Sequence, residues 1–128
     1  MSITLVDPFE LPDWLGTQLV TWRSMTPLEE SARVRGSLGS PGQPSQDLDL
    51  LAVDSAYPAP VCPEAERRAA HQAWQFGEVL LLGVDGRVAA GVPVTFFDAN
   101  LACETLRRVA RSVGADTASF TVSIPCSS

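Results

Sequence analysis

The stretch Glu78-Val-Leu-Leu-Leu-Gly-Val-Asp-Gly-Arg-Val-Ala-Ala-Gly-Val-Pro-Val94 decides the fold. Two apolar runs flank Asp85-Gly86, a dipeptide that strongly favours the two-residue turn of a β-hairpin. We therefore predict antiparallel strands over residues 78–84 and 87–94. Pro93 cannot donate a backbone hydrogen bond, so it belongs near the end of the second strand.

A helix is predicted directly before this hairpin, over residues 63–76. Its small and apolar side chains recur at helical spacing, so we expect the face that carries them to lie against a sheet. That face consists of Ala65, Ala69, Ala73 and Phe76. Gly77 follows at the position where a residue in the left-handed conformation commonly ends a helix.

A second helix is predicted after the hairpin, over residues 99–113. Asp98 is placed to cap its first turn, and Gly114 follows its last turn. Apolar side chains again recur at helical spacing and mark the face expected to be buried. They are Ala102, Leu106, Val109, Ala110 and Val113.

Three further strands complete the predicted sheet. Residues 48–53 are mostly apolar on both faces, as expected for a strand at the centre of a sheet. Residues 33–38 and 119–124 alternate apolar and polar side chains, which indicates strands with one exposed face. The segment 39–47 is rich in Gly, Pro, Ser and Gln, and we expect a mobile loop there.

The order of these elements predicts a single α+β domain over residues 1–128. We expect a two-layer sandwich of order ββαββαβ, in which two helices cover one face of an antiparallel sheet. Residues 48–124 follow a βαββαβ order, which would allow a ferredoxin-like core. Pairing of 33–38 with 48–53 in a long-looped hairpin would compete with that strand order. Residues 1–32 are predicted to be an N-terminal extension containing a short helix.

Composition restricts the classes of function. The chain is 45% hydrophobic and 19% charged, as expected for a compact, soluble domain. Its net charge of −6 opposes binding to nucleic acid, since that binding needs Lys and Arg to neutralise phosphates. We expect no membrane partner, because no apolar run is long enough to span a bilayer. The first residues lack the features of a secretory signal, and three widely spaced Cys suit a reducing compartment, so we predict a cytoplasmic location.

The basic residues are all arginines, and most of them fall on the two predicted helices. Those on the helices are Arg67, Arg68, Arg107, Arg108 and Arg111. A basic helical layer on an otherwise acidic chain would suit an acidic protein partner or an anionic ligand. Solvated helix faces carry such charges routinely, which is the plainer interpretation.

Two stretches of the chain have distinctive sequences. They are Leu51-Ala-Val-Asp-Ser-Ala-Tyr-Pro-Ala-Pro-Val61 and Ala70-His-Gln-Ala-Trp-Gln-Phe-Gly-Glu-Val-Leu80. Together with the Asp-Gly hairpin, they resemble a family of short uncharacterised proteins from high-GC Gram-positive bacteria (actinobacteria). The resemblance covers roughly the C-terminal two-thirds of the chain and implies neither an activity nor a functional residue.

Few side chains are suited to catalysis. The single histidine, His71, is predicted on the polar face of the first helix, and no Ser or Cys has a spacing that would bring a nucleophile to it. The carboxylates Asp47, Asp49 and Asp54 flank the central strand, where such groups can serve acid–base catalysis or bind Mg²⁺. Exposure in solvated loops is the commoner role for such carboxylates.

A metal site is not predicted. The available ligands show none of the short paired intervals of structural zinc sites. They are Cys62, His71, Cys103 and Cys126. We accordingly predict no cofactor.

By elimination, the sequence predicts a non-enzymatic protein-interaction or regulatory module. The partner would be another protein or a second copy of the chain, joined through an exposed sheet face or an edge strand. A secretion-chaperone-like role also suits the size and acidity of the chain. The residues expected to contact a partner or ligand are Asp54, Tyr57, Arg67, Arg68, His71 and Trp74.

Two alternatives stay open. The first is a small-ligand sensor with a cleft near Asp54, Tyr57 and Trp74, since crossover loops at strand ends often shape pockets. The second is an enzyme that uses His71 or Cys62.

Overall fold

The computed structural model describes residues 3–28, 32–54, 61–115 and 120–123. They form a mixed α+β structure with two α-helices and eight strands, and short 3-10 helices at Pro8–Glu10 and Asp13–Gly16 lie between the first two strands. In chain order the elements are β1 (Ile3–Leu5), β2 (Val20–Ser24), β3 (Arg33–Val34), β4 (Gly36–Gly39), β5 (Gln46–Ala52), α1 (Glu64–Gln75), β6 (Leu80–Val84), β7 (Arg87–Val92), α2 (Ala99–Ser112) and β8 (Phe120–Ser123).

All eight strands join one sheet, with the order β1-β6-β7-β5-β4-β2-β8 and β3 paired with β5. Strand β5 is central, as predicted, because β7 lies along one side of it and β3 and β4 lie along the other. Residues 48–53 are at most 1% exposed. The strands from the N-terminal segment, β1 and β2, pair with β6 and β4 respectively.

The local signals in the sequence are confirmed. Asp85 and Gly86 both have positive φ, at 54° and 78°, and turn β6 into β7. Gly77 and Gly114 end the two helices at φ 78° and 77°. The Asp98 carboxylate accepts a hydrogen bond of 2.7 Å from the Leu101 amide and so caps α2.

The ferredoxin-like strand order is wrong. Strand β7 does lie between β5 and β6, as that order requires, and it pairs with β6 antiparallel; its pairing with β5 is parallel, however, where a ferredoxin-like sheet is antiparallel. The last strand does not return beside β5, because β3 and β4 already occupy that edge; β8 pairs in parallel with β2 instead. The sheet is therefore mixed and not antiparallel.

The two helices do not pack on the sheet as one common layer. Alternate residues of β5 enter two core clusters, one containing Leu48 and Leu50, the other containing Leu51. The buried residues of α2 in the first cluster are Ala102, Leu106 and Val109. Helix α1 contributes Ala70 to the second cluster and packs Trp74 against the first. Because successive side chains of a strand point to opposite faces, these clusters lie on opposite faces of the sheet.

The rotation of α1 also differs from the prediction. Ala65 and Phe76 are exposed, whereas Ala70 is buried and Trp74 packs against the first cluster. Burying an alanine gains little apolar contact area, so the bulkier indole of Trp74 determines which side faces inward. The apolar arc predicted for α2 is confirmed, since four of its members are at most 1% exposed and Val113 is half-buried. No helix in the described ranges is long and apolar enough to cross a membrane.

Candidate functional site

A buried carboxylate lies where β3, β4, β5 and β7 meet. The Asp49 side chain is fully inaccessible and accepts hydrogen bonds from two guanidinium groups. Arg87 donates to it at 2.9 and 3.0 Å, and Arg33 donates through Nε at 3.1 Å. The Gly36 amide adds a bond of 3.3 Å. We call Asp49 and the two arginines the Asp49 network.

Each arginine of the network also pairs with an exposed carboxylate. Asp47 lies 2.9 Å from Arg87, and Asp85 lies 3.2 Å from Arg33. The two arginines are each 21% exposed, so the network is only partly open to water. It cross-links four strands.

Protonation of Asp49 is opposed by its partners. Burial by itself raises the pKa of this carboxyl, but the hydrogen bonds from Arg87, Arg33 and Gly36 outweigh burial and hold the pKa below its usual value. The hydrogen bonds to Asp49 in turn raise the pKa of Arg87. Both oxygens of Asp49 are saturated by donors, so the carboxylate can neither bind Mg²⁺ nor act as an acid–base group.

Two of the predicted site residues meet. His71 Nε2 lies 2.7 Å from Asp54 Oδ2. Asp54 follows the last residue of β5 by two positions, so this contact joins the exposed face of α1 to the end of β5. His71 is 57% exposed and Asp54 is 25% exposed. Tyr57 lies outside the described residues. The pair orients the imidazole, but no nucleophile is shown beside it in the described ranges.

The other predicted contact residues on α1 have separate environments. Arg68 is 76% exposed and forms a surface ion pair with Glu64 at 2.8 Å. Arg67 is partly buried, and its Nε has no hydrogen-bond partner. Trp74 is half-buried under a guanidinium of the neighbouring helix and is not free to stack on a ligand with both faces.

That guanidinium belongs to Arg108, which joins the C-terminal end of α1 to α2. Its carbon lies 3.4 Å from the centre of the Trp74 ring. Its terminal nitrogen donates to the carbonyls of Trp74 and Glu78 at 2.8 and 3.2 Å. Carbonyls at a helix C-terminus lack partners within the helix and favour a cation, so Arg108 is a structural cross-link.

The cysteines offer little reactivity. Cys62 is 2% exposed, and burial together with the nearby Glu66 carboxylate raises the pKa of its thiol. A thiol is a poor nucleophile until it is deprotonated. Cys103 is half-buried, and Cys126 lies outside the described residues. Within the described ranges, no three His, Cys, Asp or Glu side chains are grouped so that they could hold a metal ion.

Two adjoining clefts lie where the helices end. One has a volume of about 420 Å³ and the other about 350 Å³. Both are lined by Pro8, Arg111 and Ser112, so they form one continuous surface that we call the helix-end groove. The remaining lining residues are Phe9, Leu11, Pro12, Asp13, Val113 and Gly114 in the first cleft, and Gly77, Glu78, Val79 and Arg108 in the second.

The helix-end groove combines exposed aromatic surface with positive charge. Phe9 is 94% exposed, and Phe76, next to Gly77, is 69% exposed. Arg111 is 55% exposed and lies 3.9 Å from Glu104, a carboxylate that also pairs with Arg107 and Arg108. One carboxylate thus faces three guanidiniums, which leaves positive charge on this part of α2.

Sequence reasoning placed Arg111 on a helix but missed the groove. The N-terminal segment that contains Pro8, Phe9 and Pro12 has no clear hydrophobic periodicity. The position of this segment over the helix ends could therefore not be predicted from the sequence. The informative signal was Asp7-Pro8, a pair that favours the start of a turn; the Asp7 carboxylate accepts a bond of 2.9 Å from the Phe9 amide.

The chain matches no protein-family profile, no curated protein and no solved structure.

Proposed function

We propose that this chain is a non-enzymatic binding module that receives a protein partner in the helix-end groove. The observation that carries the proposal is Phe9, whose side chain is 94% exposed on the wall of the groove. Exposed aromatic side chains gain strongly from burial and dominate the energy of many interfaces. A second exposed ring, Phe76, belongs to the residue that precedes Gly77 of the groove lining.

The lining of the groove indicates the chemistry of the partner. Pro8, Leu11 and Pro12 offer apolar walls, which suit aliphatic or aromatic side chains. Arg111 lines both clefts and can meet a carboxylate with two parallel hydrogen bonds. We therefore infer that the partner presents an apolar segment with a central acidic residue.

The acidic residues of the groove restrict where the partner can carry its negative charge. Asp13 lines only the first cleft, and Glu78 lines only the second. Like charges facing one another across an interface are unfavourable, so acidic residues at both ends of the segment would be repelled. The favoured partner carries its negative charge at the centre, opposite Arg111.

A matched pair of double variants tests the proposal. The test variant carries Phe9→Ser and Arg111→Gln; the control carries Phe96→Ser and Arg68→Gln, which change the same residue types at positions that do not line the groove. Each tagged protein is expressed in the source cell, and the proteins that co-purify are quantified by mass spectrometry. We expect a stoichiometric partner that the test variant loses and the control retains.

The reverse pattern would contradict the proposal. Loss of the partner in the control alone would move the interface to the exposed face of α1, where Arg68 and His71 remain predicted contacts. Retention in both variants would exclude the helix-end groove as the interface. Self-association through an edge strand or the exposed sheet face also stays a prediction, which sedimentation of the purified chain tests.

The ligand-sensor alternative near Asp54, Tyr57 and Trp74 has weaker support. Asp54 meets His71, but Trp74 is occupied by Arg108. A ligand bound there would raise the melting temperature of the wild type and fail to raise that of Asp54→Ala.

A further inference from the structure

A third cleft lies on the outer face of the sheet, away from both helix ends. It has a volume of about 450 Å³ and covers parts of β2, β4 and the turn that follows β4. The lining residues are Thr21, Arg23, Ser37, Gly39, Ser40, Pro41 and Ser45. We call it the β2–β4 cleft. Among the described residues, none lines both this cleft and the helix-end groove.

Arg23 gives this cleft an uncompensated positive charge. Arg23 is exposed, and no carboxylate of the described residues lies within ion-pair distance of it. Its cross-strand neighbour on β4 is Ser37, and the next residue across is Asp47 on β5. Asp47 is already bound by Arg87 at 2.9 Å.

The remaining lining is neutral and rich in hydroxyl groups. None of the described residues that line the cleft is Asp or Glu, although the chain has 15 acidic residues. Ser40 donates to Gln18 at 2.9 Å, and Thr21 shares a bond of 2.8 Å with Thr121. Hydroxyl groups can both donate and accept, so they suit a ligand that itself carries hydroxyls.

Gly39 keeps the floor of the cleft open. It lies opposite Thr21 in the β2–β4 pair, and a Cβ at this position would meet no atom within 4 Å. The absence of a side chain thus leaves space beside the hydroxyl of Thr21.

We propose that the β2–β4 cleft binds a small phosphorylated polyol, such as a sugar phosphate, with Arg23 as the counter-charge for the phosphate. Arg23 would bind two phosphate oxygens through parallel N–H donors, as guanidinium groups do. The hydroxyls of Thr21, Ser37 and Ser45 would bind the polyol. This ligand site is separate from the partner site, so the chain would combine recognition of a metabolite with binding of a protein.

The test is a titration of the ¹⁵N-labelled full chain with glucose 6-phosphate, followed by amide chemical shifts. We expect saturable shifts confined to the cleft, with glucose binding much more weakly. The residues expected to shift are Thr21, Arg23, Ser37, Gly39, Ser40 and Ser45. Arg23→Gln should weaken binding by about tenfold or more, because it removes the charged donor. Arg35→Gln, an exposed arginine that does not line the cleft, should leave affinity unchanged.

Gly39→Val provides an independent check, because valine suits a strand and would fill the open floor of the cleft. It should abolish the shifts while thermal unfolding remains cooperative. Absence of saturable shifts in the wild type would overturn the proposal, as would equal affinity in Arg23→Gln. Shifts centred on Arg111 would also overturn it, since they would place the anion in the helix-end groove. Because the described linings of the two sites have no residue in common, failure here leaves the partner-binding test unaffected.

Discussion

The Asp49 network and the helix-end groove use the same side chain in opposite ways. Arg87 is 21% exposed, with Asp49 and Asp47 each 2.9 Å away. Arg111 is 55% exposed, and its carboxylate partner in the described residues, Glu104, is 3.9 Å away and shared with other arginines. One guanidinium closes a structural cross-link, and the other remains available to a partner.

The number of hydrogen-bond acceptors around an arginine, more than its charge, therefore distinguishes a structural arginine from one that can bind a partner. A saturated guanidinium has no donor left for a ligand, and its removal would damage the fold. An exposed, loosely paired one contributes little to stability. Mutations in the two regions should therefore affect different measurements.

The largest loss of stability is expected from Asp49→Ala. It would leave Arg33 and Arg87 without their shared carboxylate and the Gly36 amide without an acceptor. Removing one member of a buried ionic group typically costs about 3 kcal/mol or more. Urea unfolding of Asp49→Ala and of the exposed control Asp47→Ala measures the difference. A loss as large in Asp47→Ala would contradict the distinction between buried and exposed partners.

The next largest loss is expected from Gly36→Ala, at the edge of the Asp49 network. A Cβ at Gly36 would overlap the indole of Trp22, which is fully buried and donates to the Leu48 carbonyl at 2.9 Å. Overpacking of this kind costs about 2 kcal/mol. Gly39→Ala on the same strand is the matched control, since its Cβ would enter open space. Equal melting temperatures for the two variants would argue against this packing.

A smaller loss is expected at the helix-end groove itself, from Gly77→Val. Gly77 lines the groove and ends α1 at φ 78°, a conformation that β-branched residues strongly disfavour. We expect the free energy of unfolding to fall by at least ~1 kcal/mol. Gly39→Val, where no positive φ is required, serves as the control. An unchanged stability of Gly77→Val would rule out this helix ending.

A pH-dependent contribution to stability is expected from the Asp49 network. The pKa of Asp49 is lower in the folded chain than its usual value of 3.8, so its stabilisation is complete above pH 3.8 and is lost as the pH falls through the folded-state pKa. The stability difference between the wild type and Asp49→Asn should therefore shrink below pH 3.8. A difference that stays constant down to the acid transition would show that the pKa of Asp49 is not lowered.

The smallest effect on stability is expected from Phe9→Ser combined with Arg111→Gln. Both side chains are mostly exposed, so the free energy of unfolding should change by less than about 0.5 kcal/mol. The same variant should show the largest loss of partner binding. Unfolding in urea, measured beside the co-purification described above, separates the two effects. Marked destabilisation would mean that these residues support the fold.

The sequence predicted elements with strong local determinants and failed where tertiary contacts decide. Asp85-Gly86, Asp98 and Gly77 each require a particular backbone geometry, so their roles could be read directly. The orientation of α1 about its axis could not be predicted, because burial of its alanines gains little free energy and the packing of Trp74 determines which side faces the core. The position of β8 depends on whether β3 and β4 occupy the edge of β5, which involves contacts far apart in sequence.

Candidate site residues follow the same rule. The contact between Asp54 and His71 joins a strand end to a helix, and no local pattern specifies it. Phe9 looks like an ordinary core residue in sequence, and only the fold places it in water. The basic layer on the helices was visible as a charge pattern, but the half-burial of Arg67 and the cross-linking role of Arg108 depend on packing.

Site-specific photo-crosslinking tests the central claim most directly, because it reports contact and not merely an effect of mutation. A photoreactive phenylalanine analogue is placed at position 9 and, as a control, at position 96, where the native ring is 53% exposed but does not line the groove. We expect a crosslink to a partner protein from position 9 and none from position 96, with the crosslink weakened by Arg111→Gln. Crosslinks from position 96 alone, or no crosslink from position 9, would contradict it.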